Sequence, residues 1–210
     1  MPNNRGNIPS HLIKKISPVG KVTFFWLDEG SPDYEYQREL GEYQCSLMIH
    51  SDLAGLIKDE IDTLLETTAR EVRSNQIPFK SHPYEIFHGG SIQKYLDITG
   101  LKGNAGDMLL KAKTKAHFKD KRTGLLKPNL VKVYDPNGET MKVVPYTYKG
   151  SPAKITYNLY PWSFGGKVGV RCSLHEVHFQ ELIEFTPIKD DESSEVPTHK
   201  VDVGEYGLNK

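Results

Sequence analysis

The residues of this sequence whose types and spacing could do chemistry are a lysine ladder and a nearby group of aromatic side chains. In the segment 108–118 every second residue is basic, namely Lys111, Lys113, Lys115 and His117. Alternate residues of a strand share a face and lie roughly 6.5–7 Å apart, which is close to the phosphate spacing of an extended nucleic-acid strand. The pattern predicts a strand with one apolar face and one basic face that can follow a polyanion.

The aromatic side chains belong to a second alternating segment, residues 153–164. One face carries Ile155, Tyr157 and Leu159, and the other carries Thr156, Asn158, Tyr160, Trp162 and Phe164. Aromatic rings stack with bases in proteins that bind single strands, while neighbouring cations follow the backbone. Two alternatives remain open: lysines on exposed strands also block edge pairing, and the aromatic rings could pack under a loop or in an interface.

The histidines and carboxylates do not form a pattern that indicates catalysis. The segment 175–178 has the wrong spacing for a zinc-binding HExxH helix, and His175 and His178 on a strand would face opposite ways. No glycine-rich phosphate loop or nucleophile motif occurs, and no paired carboxylates are placed as in a pocket. We therefore expect no catalytic residues, no metal site and no cofactor.

Composition indicates one domain of ordinary globular type with an uneven charge distribution. The chain has 210 residues, 37% of them hydrophobic, and a formal net charge of zero. The segment 28–71 holds twelve acidic and three basic residues, whereas 102–132 holds nine basic and two acidic ones. Such asymmetry says more about binding partners than the net charge of the whole chain does.

The two cysteines lack metal-ligand spacing and are predicted to be small core residues. Neither a membrane-spanning run nor a signal peptide is expected.

The first half of the chain is predicted to form two strands and one long helix. A strand over 19–27 would place Val22, Phe24 and Trp26 on one face, with Trp26 in the core. A second strand covers 42–49, and a helix runs from Ser51 or Asp52 to about Ser74. Its apolar stripe comprises Leu53, Leu56, Ile57, Ile61, Leu64, Leu65 and Val72.

The second half is predicted to be mostly strands. After a short helix over 91–98, strands are expected at 108–118, 128–134, 141–144, 153–162 and 167–184, with turns at 119–124 and 135–138. The last strand changes parity, which predicts a bulge near His175 or Glu176. We expect an N-terminal arm over 1–18, a binding domain over 19–187 and a flexible acidic tail over 188–210.

These elements favour a mostly β fold: an OB-like antiparallel five-stranded barrel with extra strands and one long inserted α-helix. OB-type barrels bind oligonucleotides on a sheet face and its loops. A plain α+β sandwich is the second candidate.

The sequence resembles the single-stranded DNA-binding proteins of short-tailed bacteriophages. The matching segments are 111–123 (KAKTKAHFKDKRT), 129–141 (NLVKVYDPNGETM), 150–162 (GSPAKITYNLYPW) and 168–169 (VG). The resemblance implies an OB fold with an inserted helix, non-enzymatic and largely sequence-independent binding of single-stranded DNA in phage replication and recombination, and often a homodimer. It also implies the cytoplasm of an infected bacterium as the place of action.

The resemblance and the residue pattern together give a list of candidate DNA-binding residues. Trp162 matches the family's base-stacking position, and the basic turn of the family falls on Lys119, Lys121 and Arg122. Phosphates would be contacted by Lys111, Lys113, Lys115, Lys119, Lys121, Arg122 and Lys132, and bases by Phe118, Tyr160 and Trp162.

The family's C-terminal tail is long, strongly acidic and ends on an aromatic residue, whereas residues 188–210 here hold six acidic and three basic residues and end on Lys210. The resemblance implies that such a tail recruits replication partners, for example a phage DNA polymerase or helicase. Three rival functions stay open at this point: a strand-annealing protein that tolerates duplex DNA, a metal-dependent nuclease on a β scaffold, and a purely structural interaction barrel whose basic and aromatic faces are incidental.

Overall fold

The protein forms a mostly β structure with one long helix, here taken from a computed structural model. It describes residues 13–29, 31–35, 39–71, 79–88, 103–145 and 148–184. The predicted helix over 91–98, the tail 188–210 and most of the N-terminal arm lie outside the described residues.

The described chain contains eleven strands and one helix. They are β1 (Lys15–Ile16), β2 (Gly20–Trp26), β3 (Glu42–Ile49), α1 (Ser51–Glu71), β4 (Phe79–Ser81), β5 (Tyr84–Ile86), β6 (Met108–Lys115), β7 (His117–Lys119), β8 (Leu126–Pro128), β9 (Lys132–Tyr134), β10 (Pro152–Phe164) and β11 (Lys167–Phe179).

The strands β10, β2, β3, β6 and β11 form a closed ring, because each pairs with the next and β11 pairs back with β10. All contacts in this ring are antiparallel except the parallel pair β6–β11, in which Cys172 lies beside Ala112. Strands β1, β4, β5 and β9 extend the ring at its margins, while β7 and β8 form a separate hairpin. The predicted mostly β, OB-like architecture with one inserted helix is confirmed.

The core fills the inside of the ring and is closed by helix α1. Ile155 and Leu159 of β10, both fully buried, contribute to the same cluster as Ile61 and Leu65 of the helix. The start of the helix is tied to the start of β6, since the Ser51 N–H donates to the Asp107 carboxylate at 3.1 Å. The two cysteines are free and buried in this core, as predicted.

Two bulges determine which side chains point outward. The predicted bulge near His175 is confirmed: Thr156 pairs with Glu176 and Tyr157 with Leu174, which leaves His175 as the extra residue. A second bulge at Thr23 was not predicted. The extra residue shifts the inward–outward alternation of β2 by one position, so Trp26 points outward and is 44% exposed. The prediction that Trp26 is a core residue was therefore wrong.

Several predicted element limits need correction. Lys15–Ile16 of the predicted arm forms strand β1 against β10. The predicted strand 128–134 is two short strands, β8 and β9, and 141–144 is not a strand. In the latter segment the Val144 N–H instead donates to the Asp28 carboxylate at 2.7 Å, so a side chain replaces a strand partner. Phe118 belongs to β7, beyond a bend at Ala116, and is exposed rather than continuous with the apolar face of β6.

The helix buries a narrower stripe than predicted. Ala54, Ile57, Ile61 and Leu65 are buried, whereas Leu53 and Leu56 are 49% and 86% exposed. Leu64 packs at the edge of the core, and Val72 lies outside the described residues. No helix among the described residues is long and apolar enough to cross a membrane.

The difference between the buried stripe and the exposed leucines predicts two unlike mutational effects. Ile61→Ala removes a fully buried side chain from the core and should lower the free energy of unfolding by about 2–5 kcal/mol. Leu56→Ala should change it by less than about 0.5 kcal/mol, as surface substitutions do. Urea unfolding followed by circular dichroism measures both, and similar losses for the two variants would contradict this assignment of the helix face.

Candidate nucleic-acid interface

The side of the ring that points away from the core presents one continuous set of side chains, which we call the outer face. Most of them alternate along their strands with buried core residues, and Trp162 is placed on this side by its register with Gly169 of β11. The outer face comprises Phe24 and Trp26 of β2, Glu42, Gln44 and Ser46 of β3, Lys111, Lys113 and Lys115 of β6, Arg171 and Ser173 of β11, and Tyr160 and Trp162 of β10.

The lysine ladder lies at the centre of the outer face, as its alternation predicted. Lys113 stands between Gln44 of β3 and Ser173 of β11. Its ammonium group forms an ion pair with Glu42 at 2.9 Å, and the Glu42 side chain is only 15% exposed. Lys111 is paired in the same way with Glu85 of β5. Two of the three ladder cations therefore already have a carboxylate partner, which the sequence analysis did not predict.

The predicted basic turn forms the β7–β8 hairpin beside the end of β6. Phe118 is 47% exposed on it. The Asp120 carboxylate accepts the N–H groups of Arg122 and Thr123 at 2.8 and 3.0 Å and forms an ion pair with Lys127. The ion pair with Lys127, together with these N–H bonds, lowers the pKa of Asp120. Asp120 thus fixes the backbone of the turn between β7 and β8 and offsets the charge of Lys127.

Four cations of this region remain available. Lys115, Lys119, Lys121 and Arg122 are all exposed and form no salt bridge within the described residues. Because these four cations lie at the surface, the positive potential that they produce extends into the solvent.

The aromatic part of the outer face is built on the β10–β11 hairpin. Tyr160 lies opposite Arg171, whose guanidinium is 5.7 Å from the centre of the tyrosine ring. Trp162 lies opposite Gly169, and its indole covers the glycine so closely that a Cβ there would be 2.3 Å from the ring. The absence of a side chain at position 169 lets the indole lie flat on β11 while it stays 37% exposed.

Lys132 lies on β9, outside the five strands that form the ring. It is exposed, and its backbone lies beside that of Glu176 of β11, next to the bulge. Burial lowers the pKa of the nearby His175. The positive charge of Lys14 lowers this pKa further, whereas the negative charge of Glu176 raises it by a smaller amount. The neutral ring faces the Asn158 side chain. This part of the surface carries mixed charge rather than a continuous row of cations.

The structure places nine of the ten candidate residues on the outer face or on the adjoining hairpin, and Lys132 on β9 at the margin of the ring. Sequence analysis missed Arg171, Trp26 and the two carboxylates Glu42 and Glu85. The sequence held a signal for Arg171, which alternates with the buried Val170 and Cys172. Among the described residues no group of three potential metal ligands occurs.

Comparison with known proteins shows that this chain is similar to single-stranded DNA-binding proteins of bacteriophages. A family model described as "Single-stranded DNA-binding protein, Bacteriophage T7" matches residues 23–182. The chain is 36% identical over 102 residues to the single-stranded DNA-binding protein of Escherichia phage T7, covering 48% of this chain and 44% of that protein. The identity to the protein of the same name from Enterobacteria phage T3 is 25% over 169 residues, or 79% of this chain and 72% of that protein.

The fold is also similar to a solved structure of this kind. The crystal structure of gp2.5, a single-stranded DNA-binding protein encoded by bacteriophage T7, superposes with a TM-score of 0.64 and 25% identity over 88% of this chain and 98% of that chain.

The contact between Trp162 and Gly169 predicts that Gly169→Ala displaces the indole. The added methyl would overlap ring atoms at 2.3 Å, whereas the strand backbone itself tolerates alanine. In a Trp26→Phe background, where Trp162 is the remaining tryptophan, its emission should shift to longer wavelength because the displaced ring is more hydrated. Gly55→Ala is the matched control, since a Cβ there meets nothing within 4 Å, and an unchanged spectrum for Gly169→Ala would contradict the packing described.

Proposed function

The chain belongs to the bacteriophage T7 single-stranded DNA-binding protein family, and from this premise we propose that it coats single-stranded DNA during phage replication and recombination. Binding is largely independent of sequence, because phosphates and the faces of bases are common to all four nucleotides. The proposed place of action is the cytoplasm of an infected bacterium.

The observation that carries this proposal is the combination of cations and exposed aromatic rings on one sheet face. Lysines line the centre of the outer face, and Tyr160 and Trp162 lie at one side of it, 36% and 37% exposed. Rings that a globular protein leaves in water on a strand face are available for another flat apolar group. Bases of a single strand provide such groups, and their phosphates meet the lysines.

We assign different roles to the candidate residues. Trp162 and Tyr160 stack with bases, and Phe118 on the basic hairpin provides a further ring. Phosphates are contacted by Lys111, Lys113, Lys115, Lys119, Lys121 and Arg122, while Lys132 is a peripheral contact. Lys115 and the hairpin cations make the first encounter, since Lys111 and Lys113 must exchange a carboxylate for a phosphate.

We also propose that the protein acts by binding rather than by catalysis. A metal-dependent nuclease needs carboxylates that hold divalent ions at the substrate. The carboxylates on the outer face and beside it, Glu42 and Glu85, are ion-paired with lysines. Recruitment of a phage polymerase or helicase through residues 188–210, and assembly as a homodimer, are further parts of the proposal that rest on the family resemblance alone.

The proposed function predicts tight binding of oligo-dT that depends on Trp162. Trp162→Ala should weaken it by about 1–3 kcal/mol, the value of one base–aromatic stack. The variant should stay folded, because Trp162 is not part of the core cluster. Anisotropy of a fluorescein-labelled oligonucleotide measures the affinity, and the same titration with duplex DNA measures the preference for single strands.

Two results would contradict the proposal. One is equal or tighter binding of duplex DNA. The other is shortening of the labelled strand when the protein is incubated with it and Mg²⁺, which would indicate a nuclease.

The pairing of Lys113 with Glu42 predicts a gain in affinity when the carboxylate is removed. In Glu42→Gln the Lys113 ammonium is free to attract counterions and to release them on binding a phosphate. The slope of log K against log salt should become steeper by up to about 0.7, the value of one contact to a single strand, with tighter binding at low salt.

Glu60→Gln is the control of equal charge, because Glu60 of the helix pairs with Lys15 at 2.6 Å, away from the outer face. Equal slopes for Glu42→Gln and Glu60→Gln would show that Lys113 does not contact phosphate.

A further inference from the structure

Trp26 was expected in the core, and its position on the outer face gives it a potential function. It is 44% exposed, more than Trp162 at 37%. The chain has two tryptophans, and both indoles are partly exposed on the outer face. Because tryptophan is usually buried over most of its surface, two such rings on one face need an explanation.

We propose that Trp26 is a second base-stacking position, so that a single DNA strand crosses the outer face from Trp162 and Tyr160, over the lysine ladder, to Trp26. This inference rests on the proposed function and extends it to a defined path for the strand. It makes β2 and β3 part of the binding surface.

The register of the strands supports this path. Trp26 lies opposite Gln44, Gln44 opposite Lys113, Lys113 beside Ser173, and Ser173 opposite Asn158. Tyr160 follows Asn158 by two residues on β10. Neighbouring strands are about 4.8 Å apart, so the row from Trp26 to Asn158 follows the curved ring for about 19 Å. Trp162 lies four residues, or about 13 Å, further along β10. Together these lengths correspond to about five nucleotides at roughly 6.5–7 Å each, within the roughly 4–16 that one OB fold covers.

The indole of Trp26 is held in one orientation. Its Nε1–H donates a hydrogen bond to the Ser31 carbonyl at 2.6 Å. The neighbouring Gln44 is fixed as well, since its Nε2–H donates to the Asp33 carboxylate at 3.2 Å. A ring fixed in this way loses little conformational freedom when a base stacks on it, so the stacking free energy is retained.

Acidic residues near Trp26 have to be considered, because they repel phosphates. The Asp28 carboxylate accepts the Val144 N–H at 2.7 Å. Asp33 is 8% exposed and accepts the Glu35 N–H at 2.8 Å in addition to the Gln44 amide. Both carboxylates are thus engaged by donors, and the nearest ladder cation is Lys113. Stacking rather than phosphate contact is therefore the interaction assigned to this end of the path.

Two single-tryptophan variants test the path, because each reports on one end. In Trp162→Phe the emission comes from Trp26, and in Trp26→Phe it comes from Trp162. Oligo-dT of about 16 nucleotides should quench both. The dinucleotide of thymidine extends only about 13 Å at the spacing of roughly 6.5–7 Å per nucleotide, so it should not engage both ends at once. Saturation of each variant is checked by the anisotropy of labelled oligonucleotide.

The affinity of full-length variants provides the second measurement. Trp26→Ala should weaken binding of the longer oligonucleotide about 5- to 150-fold, the equivalent of one base stack, with a small effect on the shorter one. Trp26→Tyr keeps an aromatic ring and should retain most of the affinity. A purely structural role of Trp26 would instead weaken both lengths equally and lower the free energy of unfolding.

The outcomes separate this inference from the proposed function. If saturating long oligonucleotide quenches Trp162 but leaves Trp26 unchanged, the path over β2 is wrong and the proposed function stands. If neither variant nor the unaltered protein binds the labelled oligonucleotide, both are wrong. Quenching of Trp26 that requires the longer oligonucleotide supports the path.

Discussion

The hairpin of β10 and β11 is the interaction on which the rest of the structure depends. Its two strands of 13 residues each pair with one another along their whole length. β10 also pairs with β1 and β2, and β11 pairs with β4, β6 and β9. The hairpin thus closes the ring, supplies much of the core and carries the aromatic side chains. A slip of one residue in its register would exchange its buried and outward faces. The register that buries the apolar side chains of the hairpin is therefore also the register that points Trp162 outward.

The two bulges adapt this regular pattern to the needs of each face. At His175 one extra residue lets Leu174 and Val177 both reach the core, although their spacing does not fit a regular strand. At Thr23 a similar irregularity lets Val22 and Phe25 both be buried and turns Trp26 outward. In each case the burial of an apolar side chain on both sides of the bulge outweighs the loss of regular pairing.

Local patterns in the sequence predicted the elements well, and the limits of prediction lie where distant parts of the chain meet. Alternation identified β3, β6 and β10, and the parity change located the bulge at His175. The bulge at Thr23 has no such signal, because Val22, Thr23, Phe24, Phe25 and Trp26 suit either face of a strand. The ion pair of Glu42 with Lys113 joins residues far apart in sequence, and it became visible only when β3 and β6 lay side by side. Leu56 likewise fitted the helical period yet is exposed, because the periodicity of a helix does not show how much of its apolar stripe the ring covers.

The distribution of charge explains how a chain of zero net charge can present a basic surface. The helix that closes the core uses two of its carboxylates to hold the neighbouring strands: Asp62 accepts a hydrogen bond from the Tyr84 hydroxyl of β5 at 2.6 Å, and Glu66 pairs with Lys80 of β4. Asp62 also pairs with Lys58 within the helix at 2.6 Å. On the outer face the pairs with Glu42 and Glu85 offset only part of the ladder, and the β7–β8 hairpin adds unpaired cations. Basic charge is therefore concentrated on the outer face and its hairpin, whereas acidic charge is concentrated on the helix. The partial pairing of the ladder has a consequence for the proposed binding mode, in which a phosphate displaces a carboxylate from Lys111 or Lys113. Stacking of a base on an exposed aromatic ring needs no such exchange, so in that mode the rings are the main source of discrimination for unpaired bases.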